Sequence, residues 1–142
     1  MSYSLAYTQA IIAVLYVADK IQQGMFDFVP TKQLSDDLNI AQPSAVKILQ
    51  SLNRAGLIET REGSRGGIRL AKPAASITLL EIFNAIESER PLFRLDLQVQ
   101  VTGPKPTRAQ EEIFAHLQSA EEVMKTQLAQ MTIEDLVHKL NE

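Results

Sequence analysis

The sequence predicts a mainly α-helical fold with one small β-hairpin: a winged helix-turn-helix followed by a long helix. Three observations predict it. Two short helical patterns separated by a tight turn near Asn39-Ile40 are followed by a glycine-rich hairpin around Gly63–Gly67. The centre of the chain is basic although the whole is acidic. Apolar residues then recur at heptad-like spacing from Ile113 to Met131. With 142 residues, 45% hydrophobic and 22% charged, the chain is of ordinary globular composition, enough for one domain and an appended element. The division expected is a winged helix-turn-helix unit over residues 1–89, a connection over 90–106, and a long helix with a terminal helix over 107–142.

The first helix is expected over Ser4–Gln22, capped by Ser4 and stopped at Gly24. Its middle, AIIAVLYVA, is apolar nearly all round, so it must be covered on more than one side. This run, Ala10–Ala18, is nine residues, far short of the roughly 20 that span a bilayer. The N-terminus shows no signal-peptide pattern, and a soluble, cytoplasmic protein is expected. Pro30 biases Val29 to an extended shape, and Thr31 is expected to cap a short helix to about Leu38. A second helix runs from about Pro43 to Ala55 and stops at Gly56.

Leu57–Arg61 and Ile68–Ala71 alternate as half-buried strands around the turn residues Glu62–Gly67. Thr78–Ser88 is an amphipathic helix with Leu79, Leu80, Ile82, Phe83 and Ile86 on one side. Arg90–Pro106 is a connection in which Leu95, Leu97, Val99 and Val101 alternate with polar residues, as an extended segment would. A long helix follows from Thr107 to about Met131, with Ile113, Leu117, Ala120, Met124 and Leu128 as its dimerisation stripe. Thr132 and Asp135 form a capping box for a last helix, Ile133–Leu140.

The net charge is −3, which by itself argues against a nucleic-acid partner. Between Thr31 and Lys72, however, seven cations (Lys32, Lys47, Arg54, Arg61, Arg65, Arg69, Lys72) face four acids (Asp36, Asp37, Glu59, Glu62), a local +3. The remaining seven cations and thirteen acids give −6. A basic centre in an acidic chain points to a localised anionic partner.

On the helix after the tight turn, Ala45, Val46, Ile48, Leu49 and Leu52 fall on one side at about 100° per residue. Ser44, Lys47, Gln50, Ser51 and Arg54 fall on the other, without an acid. An ordinary solvated face would tolerate acids. This set suits phosphates and base edges in a major groove. Lys47 and Arg54 are expected at phosphates, and Gln42, Ser44 and Ser51, with Pro43 beside them, nearer the bases. In the hairpin, Gly63, Gly66 and Gly67 allow close backbone approach, Arg61, Arg65 and Arg69 sit in or beside the tip, and Ser64 there is a further DNA-binding candidate. Arg65 there suits a narrow minor groove. Alone, it would equally be a solubility arginine on a surface turn.

These residues resemble the Rrf2 family of bacterial transcription regulators. The pieces that carry the resemblance are Leu34-Ser35, Lys47-Ile48-Leu49 to Leu52, Ala55-Gly56-Leu57-Ile58, Gly63 with Gly66-Gly67, Leu70-Ala71, and Ile77-Thr78-Leu79 before Ile82. The match is close from Leu34 to Glu87 and looser outside. The resemblance implies a homodimer whose long helices pair and pack against the partner's first helix. That suits both the apolar first helix and the late heptad stripe, although burial of the stripe within one chain would explain it as well.

The chain departs from the family in three places. Some members hold an iron–sulfur cluster on three cysteines ahead of the long helix; this chain has no cysteine, so no thiolate-ligated cluster, thiolate zinc site or disulfide is possible. Ile68 stands where an aromatic residue often follows the paired glycines. Early basic residues are replaced by Ser2, Tyr3, Ser4 and Thr8, weaker phosphate donors.

Enzyme readings fail on inventory. The only histidines, His116 and His138, lie in helical patterns, and Glu112 with His116 makes two possible metal ligands where a tight site needs more. The glycine-rich turn lacks the lysine-bearing phosphate-loop pattern. The expected function is sequence-specific binding of double-stranded DNA at a two-fold symmetric operator by a homodimeric repressor without a cofactor. The alternative is a winged-helix module for protein contact with weak or lost DNA binding. Retention on heparin despite the negative net charge discriminates the two. Phe93, Leu95 and Phe114 are candidates to line a pocket for a small apolar effector.

Overall fold

In a computed structural model, which describes residues 5–87 and 91–142, six α-helices and one hairpin follow in the order α1 (Leu5–Gln22), α2 (Thr31–Leu38), α3 (Gln42–Arg54), β1 (Ile58–Arg61), β2 (Gly67–Leu70), α4 (Leu79–Glu87), α5 (Pro104–Ala129) and α6 (Ile133–Leu140). A 3-10 turn, Ala74–Ser76, lies before α4. This is the mainly helical winged helix-turn-helix with a long C-terminal helix that the sequence predicts. The expected Ser4 cap, the phosphate donors Ser2, Tyr3 and Ser4, and the end of α4 at Ser88 lie outside the described residues.

α1 is the central rod. Ala10, Ala13, Val14 and Val17 are at most 1% exposed, and α2, α3, β2, α4 and α6 all pack around it. Its uniform apolarity is thus largely covered within one chain, with Leu5 and Ile12 left exposed. Two tyrosines fix it. The Tyr7 hydroxyl donates to the Leu79 carbonyl at 2.8 Å, its ring stands edge-on to Phe83, and burial pushes its pKa up to about 12. The Tyr16 hydroxyl donates to Asp37 on α2; desolvation and then that carboxylate push its pKa up to about 12.

The turn between α2 and α3 rests on Asn39, which adopts φ 52°, ψ 46° and donates its N–H to the Asp36 and Ser35 carbonyls. Asparagine is among the few residues that tolerate this left-handed conformation. Thr31 does not cap α2: it is the first helical residue, and Pro30 holds the cap position without a side-chain bond. Proline's fixed φ and extended ψ of 134° serve there instead.

β1 and β2 pair antiparallel, Ile58 with Leu70 through Arg61 with Gly67. Val29 adds a third rung: its N–H donates to the Ile68 carbonyl at 2.7 Å and Ile68 returns the bond at 2.9 Å. The hairpin is therefore clamped between its own partner strand and the segment entering α2.

α5 starts at Pro104, three residues ahead of the expected Thr107, because prolines in a first turn lack only an N–H that the helix does not use. None of its 26 residues is buried. α6 carries the expected capping box: Asp135 N–H donates to Thr132 Oγ1 and Thr132 N–H to the Asp135 carboxylate, both at 3.0 Å. The Thr132 N–H holds the Asp135 pKa below the usual carboxylate range. Ile133 (0% exposed) and Val137 (3%) join the core around α1. The connection from Pro91 to Gly103 forms no strand.

Candidate nucleic-acid interface

α3 presents two different sides. Ala45, Ile48, Leu49 and Leu52 are buried against the core, at 0–6% exposure. Gln42, Pro43, Ser44, Val46, Lys47, Gln50, Asn53 and Arg54 are exposed and Ser51 half-buried. The expected polar face is thus the outer face, with one revision. Val46, grouped by periodicity with the apolar side, is 40% exposed. At about 100° per residue it lies off the centre of the buried stripe by about 110°.

Two grooves flank this face. On the wing side, a cleft of about 640 Å³ runs between Val46, Gln50 and Asn53 of α3 and Arg61, Ser64 and Gly66 of the hairpin. On the other side, Ser44, Lys47 and Ser51 border a groove of about 330 Å³ shared with α1 and the end of α4. Helix and wing thus meet along one cleft, which Glu62 of the turn also lines.

The wing tip is shaped by backbone demands. Gly63 adopts φ 102° and Gly67 φ 149°. A Cβ on Gly66 would strike the Arg61 carbonyl, and one on Gly67 the Val29 carbonyl. Ser64 and Arg65 are exposed at the tip.

The seven cations of the basic centre separate into two groups. Lys32 pairs with Asp36 at 2.9 Å, Lys72 with Glu81 at 2.7 Å, and Arg69 with Glu59. The Arg61 and Arg69 guanidinium groups both lie over the Phe28 ring, 4.1 and 4.6 Å from its centroid. Arg61 stands on the last rung before the turn, opposite Gly67, but its guanidinium is held against Phe28 at the side of the wing, a placement that the strand pattern alone does not show. Among the described residues, Lys47, Arg54 and Arg65 form no ion pair. These three stand on the α3 outer face and the wing tip.

Along α5, Phe114, Leu117, Met124 and Leu128 are half-buried, whereas Ile113 (48% exposed), Ala120 and Val123 (67%) face outward. The predicted stripe is thus divided between a side turned to the body of the chain and an open side. Phe93, Leu95 and Phe114 are each half-buried. A cavity of about 540 Å³ lies elsewhere, between the C-terminal end of α1, the end of β2 and α6. Glu112 and His116 sit 3.9 Å apart and exposed, as a surface pair on one helical turn does.

Known proteins share both the sequence and the fold. Protein aau3 of Rhizobium meliloti (strain 1021) is 54% identical over 41 residues, 29% of this chain and 27% of that protein. YwgB of Bacillus subtilis (strain 168), assigned as an HTH-type transcriptional regulator, is 31% identical over 64 residues, 45% of this chain and 41% of that protein. The matched stretches thus span less than half of these relatives. The structure of CymR, the global cysteine regulator of Bacillus subtilis, superposes with a TM-score of 0.66 at 19% identity, covering 98% of each chain. A family model described as Rrf2, iron-dependent transcriptional regulator, matches residues 3–139, and the chain therefore belongs to the Rrf2 family of DNA-binding transcriptional regulators.

Proposed function

We propose that the protein is a homodimeric repressor that reads a two-fold symmetric operator, with α3 in the major groove and the wing tip in the flanking minor groove. One observation carries this reading. The exposed face of α3 has no acid, and Lys47 and Arg54 on that face and Arg65 on the wing tip are left without ion pairs among the described residues. A face built for protein contact would expose a cluster of apolar residues rather than free cations. The roles follow from position. Lys47 and Arg54 bind phosphates; Gln42, Pro43 and Ser44 approach base edges from the first turn of the helix, and Ser51 from its second half. Arg65 enters the minor groove, supported by Ser64 and the close-packed Gly66. Arg61, stacked on Phe28, braces the wing and offers its outer edge to the backbone. Residues 1–89 form the DNA-binding unit, 90–106 the connection, and 107–142 the dimerisation segment through Ile113, Leu117, Ala120, Met124 and Leu128. A dimer covering an operator occludes it, which makes repression the simplest output.

The family is described as iron-dependent, but this chain's donor set does not fit a thiolate-held cluster. There is no cysteine in the sequence, and among the described residues no three His, Asp or Glu side chains converge to hold a metal ion. Regulation therefore rests on something other than a cysteine-ligated cluster. Protein purified without air should show no absorption near 400 nm with stoichiometric iron; finding it would refute this. Among the described residues, no helix is long and apolar enough to cross a membrane.

Two substitutions test the interface. Lys47→Ala should weaken binding to all duplexes and lower the salt slope by about one contact. An unchanged slope in a salt titration would remove Lys47 from the interface. Arg65→Ala should cost about 1–3 kcal/mol on A·T-rich flanks and less on G·C-rich ones, since the narrow A·T minor groove has the deepest negative potential. Identical flank preference in wild type and variant would reduce the wing to a structural hairpin.

A further inference from the structure

We propose that Val46 reads a thymine by packing its isopropyl group against the 5-methyl of that base in the major groove. The inference rests on the reading of α3 as the recognition helix and adds a sequence preference to it. Its starting point is an exposure that the fold does not require. Four apolar residues of α3 are buried at 0–6%, and Val46 is 40% exposed. A single exposed valine is common on protein surfaces and means nothing by itself. Its place gives it meaning. Val46 lies in the first half of the helix, where side chains reach deepest into a groove. Its helical neighbours Pro43, Lys47 and Gln50 are also exposed. It lines the cleft between α3 and the wing together with Gln50 and Asn53.

The chemistry then selects the base. In the major groove, adenine, guanine and cytosine present hydrogen-bonding groups, whereas thymine alone adds a methyl group. A side chain without donors or acceptors gains nothing from the first three and leaves their polar edges desolvated. Against the thymine methyl it buries apolar surface on both partners. The branched Cβ restricts χ1, so little rotamer freedom is lost on docking. Gln50, one turn further on, is an amide of the kind that bonds adenine N6 and N7, which places the valine beside a polar reader rather than in an apolar patch.

The test uses duplexes that the full-length protein selects from random DNA. Each thymine is replaced in turn by deoxyuridine, which removes only the 5-methyl group. At one symmetry-related position per half-site, wild-type affinity should fall about four-fold, the worth of one buried carbon. Val46→Ala, which should melt at the wild-type temperature because the site is exposed, should bind the thymine and uracil duplexes equally. Wild-type indifference to uracil at every position overturns the inference and leaves the DNA-binding reading intact. So does a Val46→Ala variant that keeps the full four-fold loss. Failure of the wild type to enrich any duplex overturns the DNA-binding reading, and this inference with it.

Discussion

Gly67→Ala should lower stability by about 3 kcal/mol, a drop in melting temperature of about 10 °C for a chain of this size. Two independent effects add at this residue. Its φ of 149° is one that side-chain-bearing residues rarely adopt. A Cβ would also fall on the Val29 carbonyl and within 2.9 Å of the Pro30 nitrogen. The atoms in the way are backbone, so no rotamer change relieves the clash. The segment that must retreat is the one whose paired hydrogen bonds, 2.7 and 2.9 Å, tie Val29 to Ile68. Losing that rung would also free the wing from the entry of α2 and weaken DNA binding. Gly63→Ala is the control: its φ of 102° is strained for alanine, but nothing lies within 4 Å of the new Cβ. It should cost about 1 kcal/mol. Thermal melts at one fixed protein concentration check both, and equal melting temperatures for the two variants would show that the Val29 clamp does not hold the wing.

Leu117→Glu should raise the dimer dissociation constant by at least about 100-fold, near 3 kcal/mol, through an uncompensated charge in the seam. α5 is 26 residues, about 39 Å, and buries none of them in one protomer. Its chief partner within the chain is α4, which has only nine residues. Phe114, Leu117, Met124 and Leu128 remain half-buried, and Ile113 and Val123 are exposed at 48% and 67%. In the proposed dimer a second α5 would supply the missing cover. Because Leu117 is half-buried within the protomer, Ile113→Glu serves as the partner variant: at 48% exposure it leaves the protomer fold alone. Sedimentation at micromolar concentration should give twice the 15.8 kDa chain mass for wild type and the single chain mass for either variant. A wild-type species of 15.8 kDa would overturn the dimer.

Most of the architecture is legible in the sequence because its signals are local. Asn39, the glycines of the wing tip, the Thr132–Asp135 capping box and the 3.6-residue stripes of α3 and α4 each fix their own element. What escapes is what depends on distant partners. Val29 reads only as the residue before a proline; its role as a third rung exists because α2's entry passes beside β2. Thr31 resembles a cap, yet Pro30 occupies that position, since the chain arrives already extended. The apolarity of α1 suggests a missing partner molecule, whereas α6 returns to bury much of it. The acid-free face of α3 is visible from periodicity, but sorting the helix by polarity groups Val46 with the buried stripe, although it lies about 110° from that stripe's centre and is exposed. Arg61 and Arg69 look like free cations until Phe28 is found beneath both.

Selection of bound fragments from random duplex DNA by the full-length protein tests the central claim most directly. The proposed dimer should enrich an inverted repeat with half-site centres about one helical turn apart, as its two α3 helices require. The repeat should carry A·T-rich segments where the wing tips bearing Arg65 meet the minor groove. Recovery of sequences no different from the starting pool, at a salt concentration where the protein stays folded, would contradict it.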